Sequence, residues 1–112
     1  MYKGKARNSI SALRHRITVQ VPIKTTDQGQ EVVSWLDVLS GEPADYEYVR
    51  GYQTANGRQV EEGVDCVFTV RYSDVYSPVN RIQFDGEEYG VVFVRPIAGR
   101  NMYMELHCKV IK

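Results

Sequence analysis

Arg14-His15-Arg16-Ile17-Thr18-Val19-Gln20-Val21-Pro22-Ile23 is the stretch that decides the fold class. Apolar Ile17, Val19, Val21 and Ile23 alternate with Arg16, Thr18 and Gln20. A period of two sends successive side chains to opposite faces, so the stretch predicts a half-buried β-strand. Pro22 has no N–H to give a ladder and belongs at a strand end or on an edge. Just beyond it, residues 25–30 hold Asp27 and Gly29 and predict a turn. A second strand over residues 31–38 follows, with Val33 and Trp35 on one face. The two strands together predict a hairpin.

The same period recurs further along. Residues 39–45, with Gly41 and Pro43, read as a loop. Residues 46–52 predict a third strand, with Tyr46, Tyr48 and Tyr52 on one parity and Val49 on the other. Residues 58–62 predict one or two helical turns, stopped by Gly63. Val64, Cys66, Phe68, Val70 and Tyr72 share one parity of the next strand, with Asp65, Thr69 and Arg71 opposite. Residues 73–80, holding Asp74, Ser77 and Pro78, read as a loop before a short strand over residues 81–84. Asp85-Gly86 is a strong hairpin signal, because a type I′ turn needs positive φ at both central residues. Residues 88–94 return, and residues 98–101 make another turn. In the last strand Met102, Met104, Leu106, Cys108 and Val110 alternate with Tyr103, Glu105, His107 and Lys109. That parity places His107 on a solvent-facing or interface side, and it sends Cys66 and Cys108 to the core. The prediction is an all-β fold: a small antiparallel β-barrel or sandwich of about six to seven strands, with at most one short helix. A basic N-terminal arm covers residues 1–12, and one β-barrel domain covers residues 13–112.

Composition sets the outer limits. A chain of 112 residues, 43% hydrophobic and 25% charged, is ordinary globular material and fits one domain. No apolar run approaches the ~20 residues of a spanning helix. The basic start lacks the apolar stretch of a secretory signal. With 14 basic and 14 acidic groups, the chain lacks the basic excess of a general nucleic-acid binder. The balance conceals a segregation, however. Residues 1–26 carry six basic groups (Lys3, Lys5, Arg7, Arg14, Arg16 and Lys24) and no acid, while the rest carries eight basic and 14 acidic groups. Such asymmetry is either a solvated arm or a means of head-to-tail association and contact with an acidic partner. Lys3, Lys5, Arg7, Arg14 and Arg16 are the candidate interface residues. Two cysteines are too few for a disulfide framework and fit core thiols in a reducing compartment.

The residues of common active sites are missing. Gly51 and Gly57 are isolated and cradle no phosphate. No serine stands in a nucleophile-elbow frame. His107 and Cys108, being neighbours on a strand, point to opposite faces and cannot easily share a metal. Glu61-Glu62 and Glu87-Glu88 lie in polar surroundings that would not set their pKa values apart. Neither an enzyme nor a cofactor is expected. The eight tyrosines suit interfaces, where a rigid ring with a polar tip is favoured.

Several stretches, taken in order, resemble the phage head–tail joining (head–tail adaptor or head-closure) family. Leu13-Arg14-His15-Arg16-Ile17-Thr18-Val19-Gln20 resembles its opening strand. Asp27 and Gly29 stand where that family turns its first hairpin, and Trp35 stands where its second strand carries a Trp. Gly57-Arg58-Gln59-Val60-Glu61, Phe68-Thr69-Val70-Arg71-Tyr72, Arg81-Ile82-x-Phe84-x-Gly86-x-x-Tyr89 and Glu105-Leu106-x-Cys108 continue the match. The resemblance implies a structural virion protein that forms a ring on the portal or portal adaptor, closing the filled head or docking the tail. It implies the virion neck as location, and the host bacterial cytoplasm during assembly. Portal and tail proteins would be partners; DNA would pass through without specific binding, and no membrane is involved. A tail-terminator or other ring-forming tail protein is the nearest alternative, and a monomeric ligand- or peptide-binding barrel the more distant one.

Overall fold

The computed structural model describes residues 13–54, 59–97 and 102–112. Seven strands run β1 His15–Asp27, β2 Gln30–Arg50, β3 Gln53–Thr54, β4 Cys66–Arg71, β5 Arg81–Phe84, β6 Glu87–Pro96 and β7 Tyr103–Val110. They form one antiparallel sheet in the order β1-β5-β6-β7-β4-β2-β3, and β1 also pairs with β2, so the sheet closes on itself. The all-β antiparallel expectation holds, with seven strands. Among the described residues there is no helix.

Closure puts one parity of every strand inside. Ile17 and Val19 of β1, Phe68 and Val70 of β4, Ile82 of β5 and Leu106 of β7 are essentially inaccessible. At the centre, the Phe68 ring centroid lies 5.4 Å from those of Tyr46, Phe84 and Tyr89. Cys66 and Cys108 face each other across β4 and β7 as buried free thiols. Burial and the neighbouring Cys66 thiol push the Cys108 thiol well above its ordinary pKa, so it stays protonated.

Three sequence expectations are corrected. The loop over 39–45 and the separate strand over 46–52 are instead parts of the single long β2. Gly41 has φ +69°, and the β1–β2 register shifts between Ile17 and Val19 at this level. A glycine bulge therefore absorbs one extra residue without ending the strand. Pairing of β2 with β4 starts at Ala44, just past Pro43. The expected helical turns over 58–62 are absent where the chain is described: Gln59 forms a bridge to Gln53, and the Val60 N–H donates to the Tyr52 carbonyl at 2.8 Å. Residues 55–58, and the turn expected over 98–101, lie outside the described residues.

The third correction is His107, which is only 2% exposed. Its parity is outward, as the alternation demands, but that outer face is covered. Val60, Val64 and Val67 form a second apolar cluster with Val49 and Phe93 packed against it. A bulge in β6 between Val91 and Phe93 turns Phe93 to this outer side, opposite His107. The two rings stack with centroids 4.2 Å apart and planes 17° apart. His107 Nε2 lies 3.0 Å from Glu105 Oε1, and Arg95 Nη2 donates to the same oxygen at 2.9 Å.

Candidate assembly interface

The hairpin of β1 and β2 outruns the closed body. β1 pairs with β5 only over Thr18, Val19 and Gln20, and β2 pairs with β4 only from Ala44 onward. Between these limits, rungs from Val21↔Leu36 to Asp27↔Gln30 form a two-stranded ribbon with no third strand among the described residues. Gln28 and Gly29 close it with φ of 55° and 81°, the signs a type I′ turn requires. The predicted turn is thus two residues long, and both strands run further than residues 25–30 suggested. At about 3.4 Å per residue the ribbon stands off by about 20 Å. The molecule is accordingly elongated, at 62 × 27 × 27 Å.

The alternation that buried Ile17 and Val19 continues into solvent. Val21 is half-buried and Ile23 is exposed. Val21, Ile23, Val32 and Leu36 share the face that is continuous with the interior. Pro22, Val33 and Trp35 lie on the opposite face. The Arg81 guanidinium sits 4.1 Å from the Trp35 ring centroid and anchors the ribbon at its root. Gln20 Nε2 donates to Asp37 Oδ1 at 2.7 Å on that same side. Sequence reasoning placed these apolar residues on strand faces but not in solvent, because alternation alone cannot tell where the body ends.

The same end of the molecule gathers further apolar residues. Tyr72, Ile97 and Met102 are exposed where β4 and β6 end and β7 begins. The Tyr72 N–H donates to the Met102 carbonyl, and the Ile97 N–H to the Tyr103 carbonyl. The Tyr72 hydroxyl donates to Asp74 Oδ1 at 3.1 Å, which raises the phenol pKa. At the start of β1, the end of that strand away from the ribbon, Arg14 and Arg16 are exposed. Arg16 lines an open polar depression with Asp85, Glu87 and Glu88 around the β5–β6 turn. Of the five candidate interface residues, Arg14 and Arg16 are therefore near each other on the surface. Lys3, Lys5 and Arg7 lie outside the described residues.

The model of the phage head completion protein family matches residues 9–111. This chain belongs to that family. Head completion proteins of this kind are structural, and the chain is a head–tail joining component of a virion. A chain of a solved structure titled "Virion of native gene transfer agent (GTA) particle" shares the fold, with a TM-score of 0.60 at 14% identity. The likeness covers 86% of this chain and 94% of that one. No curated protein matches. As a head completion protein, the chain keeps its resemblance residues at places the fold explains. Ile82 and Tyr89 are core residues, Phe84 packs against that core, and Asp85 and Gly86 make the turn between their strands with φ of 54° and 81°.

Proposed function

We propose that this head completion protein forms a ring of identical copies on the portal or portal adaptor, sealing the DNA-filled head and offering a docking surface to tail proteins. The observation that carries this reading is the family match across nearly the whole chain. The shape supports it, since an exposed apolar ribbon and an exposed basic start lie at the two ends of β1. A ring needs two unlike surfaces that fit each other, and the basic first 26 residues and the acidic remainder provide complementary charge. The role is non-enzymatic and uses no cofactor. Its place is the virion neck, reached from the host cytoplasm during assembly. The interior is filled by side chains such as Phe68 and Leu106, which favours a packing module over a ligand-binding barrel.

The test is addition of purified protein to packaged, tailless heads, followed by electron microscopy. Density below the portal is expected; heads left bare would sink the proposal. Capture by tail-tube protein, with no capture by the portal complex, would move the chain to a tail-terminator role.

A further inference from the structure

The ribbon of β1 and β2 exposes apolar side chains on both faces. Val32 and Leu36, 43% and 49% exposed, lie on the face continuous with the core. Val33, 47% exposed, lies on the other. A two-stranded hairpin without a third layer is marginal in water, so covering these faces is favourable. Edge pairing is the less suitable route. The Asp27↔Gln30 rung closes a two-residue turn, so hydrogen-bonded rungs fall on odd residues of β1. The N–H groups of even residues therefore point outward, and at Pro22 that donor does not exist. Lys24 beside it adds charge to the same edge. The faces remain.

A different protein laid on the ribbon would cover one face. In a ring every copy has two neighbours, and rotation about the ring axis carries each neighbour's ribbon to the same height. Each face can then meet the unlike face of an adjacent copy, which is the heterologous contact that ring closure requires. Charge permits this stacking. The core-side face carries Asp27, while the other carries Lys24 and Glu31 and has no net charge.

We propose that the ribbon is a self-docking element, in which the Val32–Leu36 face of one copy packs on the Val33 face of the next copy of this chain. This rests on the ring reading above. One face offers about 200 Å² as a flat strip, from a length of about 20 Å and a width of two strands at ~4.8 Å each. A stable pair of proteins buries about 800 Å² on each partner. The contact therefore forms on the assembled head and not between isolated copies.

Val32→Cys and Val33→Cys, singly and together, test this on packaged heads decorated with the protein. After mild oxidation with a copper–phenanthroline reagent, the double variant is expected to give a ladder of disulfide-linked multimers on non-reducing gels. Each single variant is expected to stay monomeric, because unlike faces meet. Dimers from either single variant would overturn the proposal, as would decorated heads on which the double variant gives no ladder or links only to another virion protein. A second variant, Val32→Asp with Leu36→Asp, is expected to remain folded and to bind heads about tenfold more weakly; undiminished binding would also overturn it. Wild-type protein runs alongside: if it decorates heads and the ladder fails, the ring reading survives without the ribbon contact. Bare heads with wild-type protein overturn both.

Discussion

Tyr76 shows how much one buried atom decides. Its side chain joins the core from the loop between β4 and β5, and its hydroxyl has no hydrogen-bond partner among the described residues. Burial, with Glu42 second, pushes its phenol far above the ordinary value. Tyr89 is shifted the same way, chiefly by burial and then by Tyr46. The folded state thus resists ionisation that the unfolded chain undergoes near pH ~10. This contribution is fully present below that pH and is lost as pH rises through it and beyond. Tyr76→Phe removes a desolvated hydroxyl and is expected to match or exceed wild-type stability by up to about 1 kcal/mol. Urea titrations at pH 7 and above pH 10 check both parts: the variant should also lose less stability on going alkaline. Phe68→Ala is the contrast, expected to cost about 3–5 kcal/mol because it empties the centre of the aromatic cluster. The paired thiols of Cys66 and Cys108 are expected to be silent to a thiol reagent until the protein unfolds, since both are buried.

Among the elements, β2 departs furthest from its sequence reading. Gly41 and Pro43 carry the composition of a loop, yet the strand passes through them. Long-range pairing with β1 holds the backbone extended, and the glycine takes up the mismatch. A side chain at Gly41 would meet nothing within 4 Å, so the cost of Gly41→Ala lies in its φ of +69°. We expect about 1 kcal/mol of destabilisation there. Gly90→Ala is the control: its Cβ would touch Ile111 at an ordinary 3.8 Å, and the change should stay within about 0.5 kcal/mol. Chemical denaturation of the pair separates backbone conformation from packing. The β6 bulge has the opposite effect, because it moves one side chain, Phe93, to the outer face and completes the cover over His107. Nothing in residues 88–94 marks the extra residue, since Val91, Val92, Phe93 and Val94 are all apolar.

The whole molecule carries an apolar ribbon and a basic strand start on one closed sheet. Arg14 and Arg16 continue a run of basic residues that begins at Lys3. Neutralising Lys3, Lys5 and Arg7 together is expected to leave the melting temperature of the β body unchanged. The same change should weaken association with packaged heads, with the deficit growing as salt is lowered because screening no longer hides it. A salt series of head binding checks this; a variant that binds like wild type at low salt would make the asymmetry mere surface composition.

The sequence by itself determined the strand class, the inward parity of most strands, a first hairpin turning within residues 25–30, the hairpin turn at Asp85-Gly86, and the facing of Cys66 and Cys108 toward the core. These are local matters: period, turn residues and hydropathy act over a few positions. Only the tertiary structure decided that β2 runs unbroken to Arg50, that the outer face at His107 is roofed, and that alternation at Ile23, Val32, Val33 and Leu36 leads out of the body. The first depends on a partner strand distant in sequence. The second depends on Val60 and Val64 crossing a sheet they do not belong to. The third depends on where β5 and β4 stop pairing, and no residue within the hairpin records that. Alternation therefore fixed which side of each strand was apolar, while the length and position of its neighbours fixed whether that side was core, covered surface or exposed ribbon.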